Sequence, residues 1–132
     1  MPGPSSDSVP RTILVVEDEA MILSLMNRIL TRAGYRVLNA ANPAQALEIM
    51  DSEAAPIDLL VTDLSLPGMT GATLATLLIE RQADLRILVT SGHALESVSG
   101  DLPAGAGFLS KPFTPGVLLE AVRNTAGVSL AA

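Results

Sequence analysis

Short apolar runs alternate with segments of helical periodicity along this chain, and that alternation narrows its fold more than any other feature. Ile13, Leu14, Val15 and Val16 form an uninterrupted apolar run, the pattern of a strand buried on both faces. Ile22, Leu25, Met26, Ile29, Leu30 and Ala33 then recur at helical spacing, and Gly34 provides a stop. Arg36 to Ala40 reads as a second strand. Asn42 and Pro43 supply an N-cap and a first-turn proline for a helix reaching about Ser52. Ile57 to Thr62 is a third buried strand, closed by Asp63. After the Pro67-Gly68 turn, Gly71 to Arg81 forms a helix with Leu74, Leu77 and Leu78 inward. Arg86 to Thr90 is a fourth strand and Gly107 to Ser110 a fifth, and Thr114 with Pro115 opens a last helix to about Ala126. Between the last two strands, Ala94 to Ser99 has room for one or two turns before a stretch carrying Gly100, Pro103, Gly105 and Gly107. The fourth helix is therefore expected to be short or irregular.

Strand–helix alternation with short connections predicts an α/β fold with a parallel sheet covered on both faces. Five such units predict a doubly wound, flavodoxin-like sheet of order 2-1-3-4-5, with ligands beyond the carboxyl ends of strands one and three, where the order reverses. The 132 residues suit one domain, and the hydrophobic fraction of 48% can fill its core. The expected organisation is a disordered leader over 1–10, a domain over 11–126 and a tail over 127–132. The leader is rich in Pro, Gly and Ser and carries no apolar run, so it does not read as a signal peptide. No segment approaches the ~18 apolar residues of a membrane span. A cytoplasmic protein is expected.

The net charge of −6 argues against direct DNA binding, which rests on basic patches. No cysteine occurs and His93 is the only histidine, which excludes thiolate metal sites and disfavours zinc. The polar residues that the topology gathers at the carboxyl ends are of another kind. Strand one ends in Glu17-Asp18, strand three in Asp63, strand four in Thr90-Ser91 and strand five in Lys111, the sole lysine of the chain. Three carboxylates that close repel one another unless a cation intervenes. Oxygen donors alone suit a hard ion, Mg2+ before the transition metals. A compact ammonium suits a point contact with a phosphoryl oxygen or a carboxylate, against the alternative of a solvated surface lysine.

Four segments carry a family resemblance: Ile13 to Glu19, Asp58 to Gly71, Leu88 to Gly92 and Phe108 to Phe113. From about Arg11 to Ala126 the chain resembles the response-regulator receiver domain of two-component phosphorelays. The resemblance implies that Asp63 accepts a phosphoryl group from a histidine kinase or phosphotransfer protein. It implies that Glu17 and Asp18 hold Mg2+ with Asp63 and the backbone carbonyl of Ser65, and that Ser91 and Lys111 contact the phosphoryl oxygens. It further implies a cis Lys111-Pro112 bond, a switch pair in Ser91 and Phe108, and an output face around strand five and the last helix. Such a domain is a switch that promotes only its own phosphorylation and dephosphorylation, not an enzyme with a separate substrate. A short, glycine-rich fourth helix resembles receivers attached to hybrid sensor kinases, whereas Met1 suggests a stand-alone protein. The downstream target and homodimerisation stay open.

Each assignment has a plainer rival. Asp58 lies five strand residues before Asp63, about 16 Å at ~3.3 Å per residue, so it is expected at the opposite end of the sheet as a local backbone cap. Glu19 is assigned to the favourable field at the first helix's N-terminus, a role Glu17 and Asp18 would otherwise share. Glu17, longer than aspartate, reaches the ion directly or through water. Thr90 is expected to pack while Ser91, followed by Gly92, acts as the switch hydroxyl. Phe108 is a switch aromatic or ordinary core, and His93 a rim residue controlling water access or an exposed loop side chain. A flavin carrier on the same fold would need a hydroxyl- and glycine-rich loop where Glu17-Asp18 stands, and aromatics are only 2% of the chain. An aspartate-nucleophile phosphatase would need a second acid two residues after Asp63, where Ser65 stands. A scaffold that binds partners without phosphorylation would not need the full set of acids, Ser91 and Lys111.

Overall fold

The computed structural model describes residues 11–92, 102–103 and 105–126. Its elements in chain order are β1 (Thr12–Val16), α1 (Ala20–Arg32), β2 (Arg36–Ala40), α2 (Pro43–Ser52), β3 (Leu59–Asp63), α3 (Gly71–Arg81), β4 (Arg86–Ser91), β5 (Gly107–Ser110) and α4 (Pro115–Ala126). All strand pairs are parallel and the sheet order is β2-β1-β3-β4-β5, as the alternation predicted. The irregular helix expected at Ala94 to Ser99, His93, the leader and the tail lie outside the described residues, so α4 here denotes the last helix.

Burial follows each strand's place in the sheet. Every residue of β1 and β3 is buried, because both strands have neighbours on two sides and helices on two faces. The edge strand β2 is exposed or half-buried until Ala40. Two clusters fill the faces. Leu14, Val16, Leu60, Leu74, Leu78 and Val89 pack beneath α2 and α3, and Ile13, Val15, Met26, Leu30, Val61 and Leu118 beneath α1 and α4. Leu74 and Leu78 have no exposed surface, and truncating either to alanine is expected to cost about 2–5 kcal/mol.

Side chains punctuate the helices. The Asn42 Oδ1 accepts from the Gln45 N–H at 2.9 Å, and the Gln45 Oε1 accepts from the Ala41 N–H at 2.7 Å, a reciprocal cap for α2. Thr70 and Thr114 cap α3 and α4 through hydroxyls that accept from Thr73 and Val117 N–H groups.

Three boundaries or faces differ from expectation. β3 starts at Leu59, not Ile57, because the Gln82 side chain takes both backbone groups of Ile57, at 3.0 and 2.6 Å. β4 runs on to Ser91, whose carbonyl accepts from the Lys111 N–H at 2.8 Å and extends the ladder. Leu25, counted by spacing among the inward residues of α1, is 47% exposed; spacing gives a helix a face but not its edges.

Candidate functional site

β1 and β3 are adjacent, yet the chain leaves β1 for β2 on one side and reaches β3 on the other. The connections diverge and leave a crevice above their carboxyl ends. Glu17, Asp18 and Asp63 enter it. One carboxylate oxygen from each lies within 4.8 Å of the other two. Lys111 arrives from the end of β5, and its Nζ donates to Glu17 Oε1 at 2.8 Å and to Asp63 Oδ2 at 3.1 Å. The Lys111-Pro112 bond is cis, as expected.

The second oxygens of two of these acids are also engaged. Glu17 Oε2 accepts from the Glu19 N–H at 3.1 Å, and Asp63 Oδ1 accepts from the Ser65 N–H at 3.3 Å. Glu17 is 1% exposed and Asp63 9%, while Asp18 is open to solvent. Burial raises the Glu17 pKa despite the opposing hydrogen bonds from Lys111 and Glu19. Burial also disfavours the Lys111 ammonium, but its hydrogen bonds to Glu17 and Asp63 outweigh that penalty and raise its pKa. Lys111 therefore stays charged across the physiological range. One half-buried cation stands against a group of three carboxylates, so the crevice carries an excess of negative charge. An oxygen-only set of this kind fits a hard divalent cation.

Strand alternation directs Ser91 to the face of its neighbour Val89, which registers with Phe108. Ser91 is 1% exposed, and Phe108 packs half-buried against the α2–α3 cluster. Thr90 registers with Asp63 and is buried, and its hydroxyl is the one orphaned buried side-chain atom among the described residues. Asp58 lies at the other end of β3, where its Oδ2 accepts from the Thr12 N–H at 2.7 Å and its Oδ1 stands 3.6 Å from Arg11. Glu19 occupies the N-cap position of α1 without a side-chain cap bond.

Sequence reasoning placed Gly71 at the start of the third helix but missed its contact with Asp63. Its N–H donates to the Leu64 carbonyl at 2.7 Å, and a Cβ there would overlap the carbonyl oxygen of Asp63. The start of α3 thus rests directly on the backbone that carries the central carboxylate. The short spacing from Pro67 to Gly71 was the available signal, but only tertiary contact gives it this meaning.

With the fold and crevice defined, comparison with known proteins identifies the class. Residues 13–123 match the response regulator receiver domain, and the chain belongs to that family, a signalling switch of two-component systems. The sensor kinase CckA of Brucella abortus is 38% identical over 115 residues, 86% of this chain but only 12% of the kinase. The response regulator receiver protein CpdR of the same organism is 36% identical over 105 residues, 78% of this chain and 86% of CpdR. Among solved structures, a response regulator receiver protein from Sinorhizobium medicae superposes with a TM-score of 0.81 at 32% identity, covering 89% of this chain and 94% of its own. The receiver domain of the hybrid histidine kinase CckA gives 0.76 at 34%, covering 88% and 99%. Among the described residues no helix is long and apolar enough to cross a membrane.

Proposed function

We propose that this receiver accepts a phosphoryl group on Asp63 from a phosphohistidine of a histidine kinase or phosphotransfer protein, and switches a protein-binding surface in response. The observation that carries this reading is the convergence of the Glu17, Asp18 and Asp63 carboxylates in one crevice, where Glu17 and Asp63 also accept from the Lys111 ammonium. An Asp63 carboxylate oxygen attacks phosphorus, an O–P bond forms, the N–P bond of the donor breaks, and the imidazole nitrogen leaves with the electron pair. Lys111, already charged and 3.1 Å from Asp63, offsets charge on the phosphoryl oxygens. Ser91 adds a neutral donor. Asp18, Asp63 and the Ser65 carbonyl would hold Mg2+, with Glu17 binding it directly or through water. The ion, when bound, supplies positive charge beside the phosphoryl group.

Phosphorylation adds about −1.5 to −2 charge at one crevice. Ser91 is then drawn toward the phosphoryl oxygens, and Phe108, which shares its face, follows. The domain acts on no separate substrate; it promotes only its own phosphorylation and dephosphorylation. Both a stand-alone receiver and a hybrid-kinase module fit this reading.

Incubation with Mg2+ and acetyl phosphate, followed by mass spectrometry of proteolytic fragments, tests it. The phosphoryl group is expected on Asp63, and absent without Mg2+ or in Asp63→Asn. Labelling elsewhere, or labelling that survives Asp63→Asn, contradicts it.

A further inference from the structure

Among the described residues, the Thr90 hydroxyl is the one buried side-chain N or O atom without a hydrogen-bond partner, and Thr90 is 1% exposed. Thr62, equally enclosed in the neighbouring strand, donates its hydroxyl to the Asp63 carbonyl at 3.0 Å. A buried hydroxyl left unbonded destabilises the fold, and a valine would fill the same space without that penalty. A native orphan of this kind points to a use outside stability.

Strand register supplies the surroundings. Thr90 and Asp63 are Cα partners in the parallel β3–β4 ladder, so their side chains leave the sheet on the same face, about 4.8 Å apart at the backbone. Leu88, two residues earlier on β4, packs in the cluster beneath α1 and α4, which fixes that face. Ser91 follows Val89 to the opposite face, beside Phe108, so the two adjacent hydroxyls serve different sides of the sheet. Lys111 follows Leu109, the Cα partner of Thr90 on β5, by two residues, and its Nζ bonds Asp63 and Glu17. Because β4 lies between β5 and β3, the lysine stem crosses the end of β4 to reach them. Thr90 thus stands between the strand that carries Asp63 and the strand that leads to Lys111.

Asp63 has room for another donor. Its oxygens accept from the Ser65 N–H at 3.3 Å and from Lys111 at 3.1 Å, and a carboxylate offers about four lone-pair sites. A phosphoryl group on Asp63 draws the Lys111 ammonium toward its own oxygens, so the Asp63 carboxyl loses its cation. The Thr90 hydroxyl, free to turn about its C–O bond, is the donor left beside it. We propose that Thr90 is a second hydroxyl of the phosphoryl-transfer site, donating to the Asp63 carboxyl while the acyl phosphate is made and broken. In hydrolysis a water oxygen bonds to phosphorus as the Asp63 O–P bond breaks. The electron pair returns to the Asp63 carboxylate, and the water proton passes to the released phosphate or to solvent. Negative charge therefore grows on the group that Thr90 faces, where a donor fixed by the fold has its largest effect. This inference rests on the phosphoacceptor reading of Asp63 and assigns a further residue to the same site.

Protein labelled with acetyl phosphate and Mg2+, then freed of the donor, is followed by intact-mass spectrometry as the label decays in Mg2+ buffer. Thr90→Val keeps the shape and removes the hydroxyl, and its decay is expected to slow about tenfold, the size of one hydrogen bond to a developing charge. Thr90→Ser restores a hydroxyl and is expected to decay at about the wild-type rate. Urea unfolding of unlabelled Thr90→Val is expected to show stability equal to or above the wild type, because the unbonded hydroxyl is gone. Should the valine variant not fold, Thr90→Ser and Thr90→Ala differ by the hydroxyl alone and are expected to show the same ratio of decay rates. Decay of Thr90→Val at or above the wild-type rate overturns the inference, as does equal decay of the serine and alanine variants. Slow decay that Thr90→Ser shares assigns Thr90 to packing and overturns it too. So does a folded Thr90→Val that is less stable than the wild type, since the hydroxyl then already has a partner at rest. A wild type that acetyl phosphate does not label on Asp63 strikes the phosphoacceptor reading itself, and this inference falls with it.

Discussion

The two ends of the sheet handle charge in opposite ways. At the amino end, acids are paired with arginines: Asp58 with Arg11, Glu53 with Arg36, and Asp51 with Arg81. These pairs are half-buried to exposed, and Asp58 also caps the Thr12 N–H. At the carboxyl end, three carboxylates gather in one crevice, and Lys111, the one cation paired with them among the described residues, bonds the two that are buried. Surface pairs contribute little to stability, and their neighbours need nothing further. A buried excess of negative charge costs stability and invites a ligand. One strand, β3, carries an aspartate of each kind, five residues apart.

The sharpest break between the ends is expected from those two aspartates. Asp63→Asn should abolish phosphoryl incorporation from acetyl phosphate, while Asp58→Asn should leave its rate unchanged, both read by mass spectrometry. Equal loss in the two variants would dissolve the distinction. Next in size, Lys111→Met removes the crevice's half-buried cation and should slow incorporation about 10²–10³-fold in a single-turnover assay.

A third effect lies in the backbone beneath the crevice. Gly71→Ala forces α3 away from the Asp63 carbonyl, and such overpacking typically costs about 1–3 kcal/mol in denaturant unfolding. Because the displaced backbone carries Asp63, incorporation should slow as well.

The pH dependence of stability should also divide the ends. The folded pKa of Glu17 is raised from its ordinary value of 4.5, so its favourable contribution is complete below that value and is lost as pH rises through the folded pKa. Metal-free protein should therefore lose stability as pH rises from 4.5 through the folded pKa, and Glu17→Gln should remove the loss. Lys111, raised from 10.5, contributes fully below that value and loses its contribution as pH climbs through the folded pKa, so a second decline is expected at the alkaline limit. Urea unfolding across pH checks both declines. The smallest effect belongs to the amino end: Asp58→Ala should cost about 1 kcal/mol, the worth of the Thr12 hydrogen bond, without touching phosphorylation.

Much of this contrast was legible before any coordinates. The apolar runs of β1 and β3 announce central strands, and once the order 2-1-3-4-5 is accepted, Glu17, Asp18, Asp63 and Lys111 must share one end of the sheet while Asp58 takes the other. Strand geometry alone does that work, since residues five apart along a strand cannot share an end. What stayed hidden depends on distances between elements. Helical spacing placed Leu25 with the inward residues of α1, but only the position of α4 leaves it at the lip of a groove. The Gly71 contact with Asp63 and the Gln82 clasp on Ile57 join residues from separate elements, and no local pattern encodes either. The engagement of both Glu17 oxygens, by Lys111 and by the Glu19 N–H, likewise needed coordinates.

The central claim is that the unbalanced carboxylates form a seat for one divalent cation, and calorimetric titration with Mg2+ tests it most directly. Wild type should bind one Mg2+ per chain, Asp58→Asn should bind it equally, and Asp18→Asn should lose the binding heat. No binding by the wild type, or unaltered binding by Asp18→Asn, would contradict the account.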